Sequence, residues 1–103
     1  MYLIRELMYC KPGKVRAMVE KSLAMAKLMQ KSKLGRMRVL TDVSAERYWT
    51  CVMEFEVASL SAWEKMDQAG GMKKADMKKM DTIMKGYLDL VEYGRREIYK
   101  LEK

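Results

Sequence analysis

The strand signal at residues 47–57 constrains the fold of this chain more than any other feature. The stretch reads RYWTCVMEFEV, and it is rich in aromatic and β-branched residues and free of glycine and proline. Successive side chains of a strand point to opposite faces of a sheet, so these residues divide into two sets. One set is wholly apolar and is predicted to face helices: Trp49, Cys51, Met53, Phe55 and Val57. The other set starts apolar and ends acidic: Tyr48, Thr50, Val52, Glu54 and Glu56.

The chain before this stretch reads as strand, helix and strand. Residues 2–10 are rich in aromatic and branched side chains, and residues 36–43 have the same character. Between them, apolar residues recur every three or four positions from Val15 to Met29, which predicts one face of a helix. The segment YCKPGKV joins the first strand to this helix and holds the chain's one proline, Pro12. It lacks the glycine spacing of a phosphate-binding loop, so we interpret it as a corner.

The chain after residue 57 reads as helix and strand. Either Ser59 or Ser61 can cap a helix, and Ser61 with Glu64 three residues later fits a capping box. A longer helix is predicted from apolar residues that share one face between Met77 and Val91. Gly94 is predicted to end this helix, and residues 95–103 are predicted to form the last strand.

The order strand, helix, strand, strand, helix, strand predicts the fold. It is the split β-α-β arrangement of an α+β protein, ferredoxin-like, with helices on one face of a four-stranded antiparallel sheet. A chain of 103 residues has the length of a single domain, 1–103.

The apolar character of the second sheet face predicts a partner. The first strand carries apolar residues on both faces, and Arg5 and Glu6 are its only charges. A small protein seldom exposes so apolar a surface unless it is an interface. Two-fold homodimers are the commonest oligomers, so we expect a second copy to cover this face. Two such sheets packed face to face form a dimeric α+β barrel.

Three stretches of the sequence resemble the NIPSNAP family. YLIRELMYCKPGKV is similar to its opening strand and Lys-Pro-Gly-Lys corner, MEFEVASLSAWEK to its third strand and tryptophan-bearing helix, and YLDLVEYGRREIYKL to its closing helix and strand. The resemblance implies the dimeric α+β barrel superfamily, which includes cofactor-free monooxygenases of the antibiotic-biosynthesis type, haem-degrading enzymes, isomerases and proteins without known activity. The family supplies no settled catalytic residues.

The composition argues against several kinds of chemistry. The chain has no histidine and two cysteines, so the usual zinc and haem ligand sets are missing and we expect no cofactor and no metal. Cys51 is predicted to be a core thiol, and Cys10 is more plausibly structural than reactive. The net charge is +7, and the stretch from Lys21 to Arg38 holds no acid. We interpret that stretch as a solvated surface, although it could attract phosphates. Without a signal peptide or an apolar membrane span, a cytoplasmic location is expected.

Polar residues on the predicted strands define a candidate site. Burying a charge requires a partner, and Arg5 or Arg38 pairing with Glu54 across the sheet would provide one. If these residues line a cavity, the arginines could hold an acidic or phenolate-like substrate and Glu54 could act as the base. The alternative is an interface salt bridge that fixes dimer register. The candidate substrate-binding residues are Arg5, Arg38, Tyr48, Trp49, Trp63 and Tyr99, with Thr50 beside them and Glu54 as a weak catalytic candidate.

Three functions compete at this point. The first is binding of a small apolar or aromatic molecule, with cofactor-free monooxygenase-like chemistry. The second is a non-catalytic structural or binding homodimer, and the sequence does not decide between these two. The third is RNA binding, because the RNA-recognition motif shares the order of elements. RYWTCVME lacks both glycines of that motif and has Glu54 where its last aromatic belongs, so we do not expect nucleic acid to be the partner.

Overall fold

The computed structural model describes residues 1–31, 35–67 and 73–102. Within these ranges the strands are β1 (Tyr2–Cys10), β2 (Met37–Thr41), β3 (Thr50–Val57) and β4 (Val91–Lys100). The α-helices are α1 (Val15–Lys31), α2 (Leu60–Asp67) and α3 (Lys74–Met84), and a 3₁₀ helix covers Tyr87–Asp89. None of the described helices is long and apolar enough to span a membrane.

The strands form one antiparallel sheet in the order β2-β3-β1-β4. The two strands with the most apolar sequences, β1 and β3, are therefore the central pair, and the edges are β2 and β4. The helices lie on one face. The predicted α+β, ferredoxin-like arrangement is confirmed.

The helix-facing side of the sheet is the one that the alternation in β3 predicts. Cys51 and Met53 of β3 are buried with Cys10 of β1 against Met18 and Val19 of α1. Met18 and Cys51 have no exposed surface at all. Because side chains alternate along a strand, Thr50, Val52 and Glu54 lie on the opposite face, which we call the open face.

The segment YCKPGKV is a corner, as predicted. The backbone N–H of Lys14 donates to the carbonyl oxygen of Lys11 at 3.0 Å, which closes a four-residue turn. Pro12 occupies the second position, and Gly13 has φ of 79° at the third, where a type II turn requires positive φ. Helix α1 begins directly afterwards at Val15.

The third strand is shorter than predicted, because it begins at Thr50 rather than residue 47. Trp49 has φ of 61°, a left-handed conformation that ends regular extended structure. The side chain of Asp42 accepts a hydrogen bond from the N–H of Thr50 at 2.9 Å and so replaces a ladder bond. The second strand also stops early, at Thr41. Trp49 therefore belongs to the loop and not to the helix-facing set.

The cap of α2 is Ser59, and the capping box proposed for Ser61 and Glu64 is wrong. The hydroxyl oxygen of Ser59 accepts a hydrogen bond from the N–H of Ala62 at 3.0 Å. This is the contact that an N-cap residue makes with the third residue of its helix. Ser61 lies one residue inside the helix, which begins at Leu60.

The predicted long helix is also wrong at its end. Helix α3 stops at Met84, and Gly86 with φ of 82° ends it in the left-handed conformation that glycine tolerates. Gly94 instead lies within β4, directly opposite Met8 of β1. The helix was predicted to run past Gly86 because Leu88 and Val91 continue the apolar spacing. In the structure these two residues belong to the 3₁₀ helix and to β4.

Helix α3 is attached to the molecule through its carboxyl end. The ammonium group of Lys21 on α1 donates to the carbonyl oxygens of Ile83 at 3.0 Å and Lys85 at 2.7 Å. A cation at this end also satisfies carbonyls that the helix leaves unpaired. No residue of α3 is fully buried.

Candidate functional site

A cavity of about 360 Å³ lies between the helix-facing side of the sheet and the helices. We call it the methionine cavity, because thioether side chains supply most of its wall. Its apolar wall comes from α1, α2, α3, the 3₁₀ helix and three strands: Met8, Met25, Met29, Met37, Met53, Phe55, Trp63, Met66, Met80, Met84 and Tyr87. Glu6 and Arg96 complete the lining.

Helical spacing brings the cavity residues of the helices together. Residues three or four positions apart lie on the same face of a helix. Met25 and Met29 therefore face the cavity from α1, and Trp63 and Met66 face it from α2. On the sheet side, Gly94 leaves room for Met8, because a Cβ atom there would meet the sulfur of Met8 at 3.1 Å.

Among the described lining residues, the cavity is apolar except for one ion pair, between Glu6 of β1 and Arg96 of β4. The two residues are directly opposite each other in the strand register, and Arg96 Nε donates to a carboxylate oxygen of Glu6. The guanidinium carbon of Arg96 lies 4.8 Å from the centre of the Trp63 ring, within cation–π distance. The side chains of Arg96 and Glu6 are 42% and 19% exposed, so the pair stands at the mouth of the cavity.

Of the predicted site residues, Trp63 is the one that lines this cavity. Arg5, Arg38 and Glu54 lie on the open face, on the other side of the sheet. Tyr99 also lies there and borders an open-face cavity of about 250 Å³ together with Arg5. The predicted set is therefore divided between two faces, and Glu54 cannot act as a base in the methionine cavity.

Tyr48 and Trp49 belong neither to the methionine cavity nor to the group of predicted site residues on the open face. They border a groove of about 360 Å³ at the end of the sheet, beside Cys10 and Arg47. Tyr48 is 85% exposed, so its ring projects from the loop before β3. Thr50 is buried on the open face, where its hydroxyl donates to the carbonyl oxygen of Arg47 at 2.8 Å.

The predicted ion pairs of Glu54 are present and belong to a larger row of charges. Arg5 Nε lies 3.2 Å from Glu54 Oε2, and Arg38 contacts the other oxygen of the same carboxylate. Arg5 also lies 3.6 Å from Glu97, which contacts Arg95 at 2.7 Å. We call this row, Arg38-Glu54-Arg5-Glu97-Arg95, the charge ladder. It crosses all four strands at one level of the sheet.

The open face is less apolar than its sequence predicted. Leu7, Tyr9 and Val52 form a small buried cluster there. The rings of Tyr9 and Tyr93 are 4.8 Å apart, and the guanidinium group of Arg47 lies about 5 Å above both rings. The long stems of arginine side chains can shield apolar surface while their charged ends stay in water. Side chains of the chain itself therefore bury part of the open face, which a second copy was predicted to cover.

Both cysteines are buried free thiols. Burial, with a smaller contribution from Cys51, raises the pKa of the Cys10 thiol to about 11. Burial also raises the pKa of Cys51, whose sulfur lies 3.7 Å from the hydroxyl of Ser22. A thiol with a raised pKa carries little thiolate near neutral pH, so neither cysteine has the character of a nucleophile.

Sequence reasoning missed Glu6 and Arg96 as site residues. One signal was available, because Glu6 interrupts the otherwise apolar helix-facing set of β1. A charge in a buried set requires a partner, and antiparallel pairing puts Arg96 opposite it. Within the basic stretch from Lys21 to Arg38, Lys21 has a structural role, because its ammonium group caps the carboxyl end of α3. Lys33 lies outside the described residues.

Solved structures with this fold give the chain a structural class. A NIPSNAP family protein of unknown function from Agrobacterium tumefaciens shares 18% identity and a TM-score of 0.71, with 98% of this chain and 87% of that chain covered. An uncharacterized NIPSNAP domain protein from Burkholderia xenovorans shares 14% identity and a TM-score of 0.65, covering 98% and 94%. An antibiotic biosynthesis monooxygenase candidate from Deinococcus radiodurans shares 9% identity and a TM-score of 0.67, covering 100% and 94%.

The chain therefore shares its fold with solved structures of NIPSNAP proteins and of a monooxygenase-like protein. At these identities the likeness establishes the fold and leaves the reaction open. No protein-family model and no curated protein sequence matches the chain.

Proposed function

We propose that this protein binds a small apolar or aromatic molecule in the methionine cavity. The observation that carries the proposal is a cavity whose described lining is apolar apart from an ion pair, Glu6 with Arg96, at its mouth. Ligand sites are typically apolar pockets with a few polar groups that fix orientation. Methionine side chains are flexible and polarisable, so they adapt to ligands of varied shape.

The same geometry supports monooxygenase-like chemistry without a cofactor. The carboxylate of Glu6 is placed to accept a proton from a bound substrate, and Arg96 to stabilise the anion left behind. An electron-rich carbanion can then pass electrons to O₂, and oxidation of a methylene to a carbonyl in this way releases one water. Four-electron reduction of O₂ is balanced by insertion of one oxygen atom into the substrate and formation of that water.

Binding in the cavity is tested with N-phenyl-1-naphthylamine, a neutral apolar dye that fluoresces when it leaves water. We expect wild-type protein to enhance its fluorescence saturably. Met66→Trp adds bulk to the cavity wall and is expected to weaken the dye affinity at least about tenfold, the scale of a 1.4 kcal/mol loss. The dye is excited at wavelengths longer than the tryptophan absorption band, so that the introduced tryptophan does not contribute to the fluorescence.

Met77→Trp is the matched control, because Met77 is 39% exposed and lies outside the cavity lining. Its affinity for the dye should equal that of wild type. Equal affinities for all three proteins would place the dye elsewhere and refute the methionine cavity as a ligand site.

The second candidate function, a non-catalytic homodimer, uses the open face. Leu40, Tyr93 and Tyr99 are 39%, 51% and 49% exposed and flank the charge ladder. A ladder of alternating charge is complementary to a second copy of itself when a two-fold axis brings the copies together one ladder position out of register, so that each cation faces an anion. Half-exposed tyrosines suit such an interface, because one end of the ring is apolar and the other polar.

Dimer formation is measured by sedimentation velocity. We expect wild-type protein to sediment as a dimer and Tyr99→Lys to shift toward monomer, because it adds an unpaired charge to the face. Lys100→Glu is the control, since Lys100 is exposed and points away from that face. If wild-type protein sediments as a monomer at every concentration, the homodimer proposal is refuted. The proposal that the methionine cavity binds the dye is not affected by that result.

A further inference from the structure

Thioether groups make up most of the described wall of the methionine cavity. Eight methionines line the cavity, and no leucine, isoleucine or valine is among its described lining residues. Those residue types fill the core elsewhere, for example Ile4, Val19 and Leu28. Flexible packing is one role of methionine in such a wall, and its sulfur atoms add a ligand chemistry that leucine and isoleucine lack.

Thioether sulfur is a soft, neutral ligand. It suits Cu(I) and Ag(I) and is a poor ligand for magnesium, calcium or manganese, which prefer oxygen. In the part of the chain that the structure describes, no group of three histidine, cysteine or carboxylate residues is arranged to hold a metal ion. The expectation of no metal from the sequence rested on histidine and cysteine, and methionine thioethers are a further class of soft ligand.

We infer that the methionine cavity binds a soft monovalent cation, Cu(I) or its analogue Ag(I), through thioether groups. Met29 of α1 and Met53 of β3 are each 5% exposed and approach the cavity from opposite layers, and Met84 approaches it from α3. A monovalent ion costs less to remove from water than a divalent one, because solvation energy rises with the square of the charge. The inference is independent of any organic ligand.

Thioether binding has a pH signature that thiolate binding lacks. Methionine carries no dissociable proton, so its affinity for Ag(I) stays constant between mildly acidic and neutral pH. A thiolate site must release a proton on binding and gains affinity as pH rises.

The test is titration of the full chain with silver nitrate in a buffer free of chloride, observed by NMR of the ¹³C-labelled methyl groups of methionine. We expect saturable binding at one equivalent, with shifts in the methyl signals of cavity methionines and none in Met77. Met29→Leu with Met53→Leu should weaken the affinity at least about tenfold, the lower end of what loss of a metal's supporting partner costs. Leucine conserves volume, so the fold should be retained, as checked by circular dichroism.

Two further variants keep the inference open to refutation. If the first double variant fails to fold, Met66→Leu with Met84→Leu replaces partly buried positions of the same wall. Cys10→Ser with Cys51→Ser should leave the Ag(I) affinity and its pH independence unchanged. Loss of binding in the cysteine variant, affinity that rises with pH, or no saturable binding by wild type would each overturn the inference.

Discussion

Glu54→Gln is expected to lower the free energy of unfolding by about 2 kcal/mol, because it removes the anion that joins Arg5 to Arg38. Loss of one partner of a fully buried pair costs 3–5 kcal/mol. The side chain of Glu54 is 10% exposed, but those of Arg5 and Arg38 are 32% and 63% exposed, so water screens part of the loss. Urea unfolding at a fixed protein concentration measures the difference.

Glu92→Gln is the matched control for this prediction. Glu92 pairs with Arg47 at 3.1 Å, and both side chains are well exposed, at 44% and 37%. Exposed ion pairs contribute about 0–1 kcal/mol, so the control should unfold close to wild type. Similar losses in the two variants would mean that the charge ladder stabilises the sheet no more than an ordinary surface pair.

Met18→Ala is expected to cost about 3 kcal/mol, the middle of the range for truncating a buried methionine. Met18 is fully buried in α1, where it packs with Cys10 and Cys51 beneath the helix. Truncation removes apolar contacts and leaves a void that the surrounding strands fill only in part. Thermal and urea unfolding should both show the loss.

Met77→Ala on α3 removes the same atoms from a side chain that is 39% exposed. We expect its effect to stay within about 0.5 kcal/mol of wild type, as for most surface substitutions. If Met18→Ala proved equally mild, the packing of α1 against β1 and β3 would have to be looser than described.

The fold was predictable because the alternation of apolar and polar residues along a strand indicates which side chains are buried. The apolar set of β3 identified Cys51 and Met53 as helix-facing, and both are buried there. The chain also has one proline, and Pro12 with Gly13 fixes the corner between β1 and α1. Strong local patterns and strong turn chemistry agree in these segments.

Element ends were less predictable, because several residues offered the same local signal. Ser59 and Ser61 can both cap a helix, and which of them does so depends on where the backbone turns. Gly86 and Gly94 can both end a helix, and apolar spacing continues past the first. The left-handed backbone of Trp49 has no sequence signal, since bulky residues seldom adopt it.

The candidate site was only partly predictable, for a topological reason. Trp63 lines the methionine cavity, whereas Arg5 and Glu54 lie on the opposite side of the same sheet. Residue type alone does not tell which face a cavity occupies. The pairing of Glu6 with Arg96 depends on β1 and β4 being neighbours, and these strands are 90 residues apart at that contact.

The attachment of α3 bears on how a molecule reaches the interior. This helix contributes Met80 and Met84 to the cavity wall, yet it has no fully buried residue and Lys21 fastens its carboxyl end. Outward movement of this helix would break the two hydrogen bonds of Lys21 and the packing of Met84 against the core, and it would leave the sheet intact. Entry of a molecule by this route would therefore require no change in the pairing of the four strands.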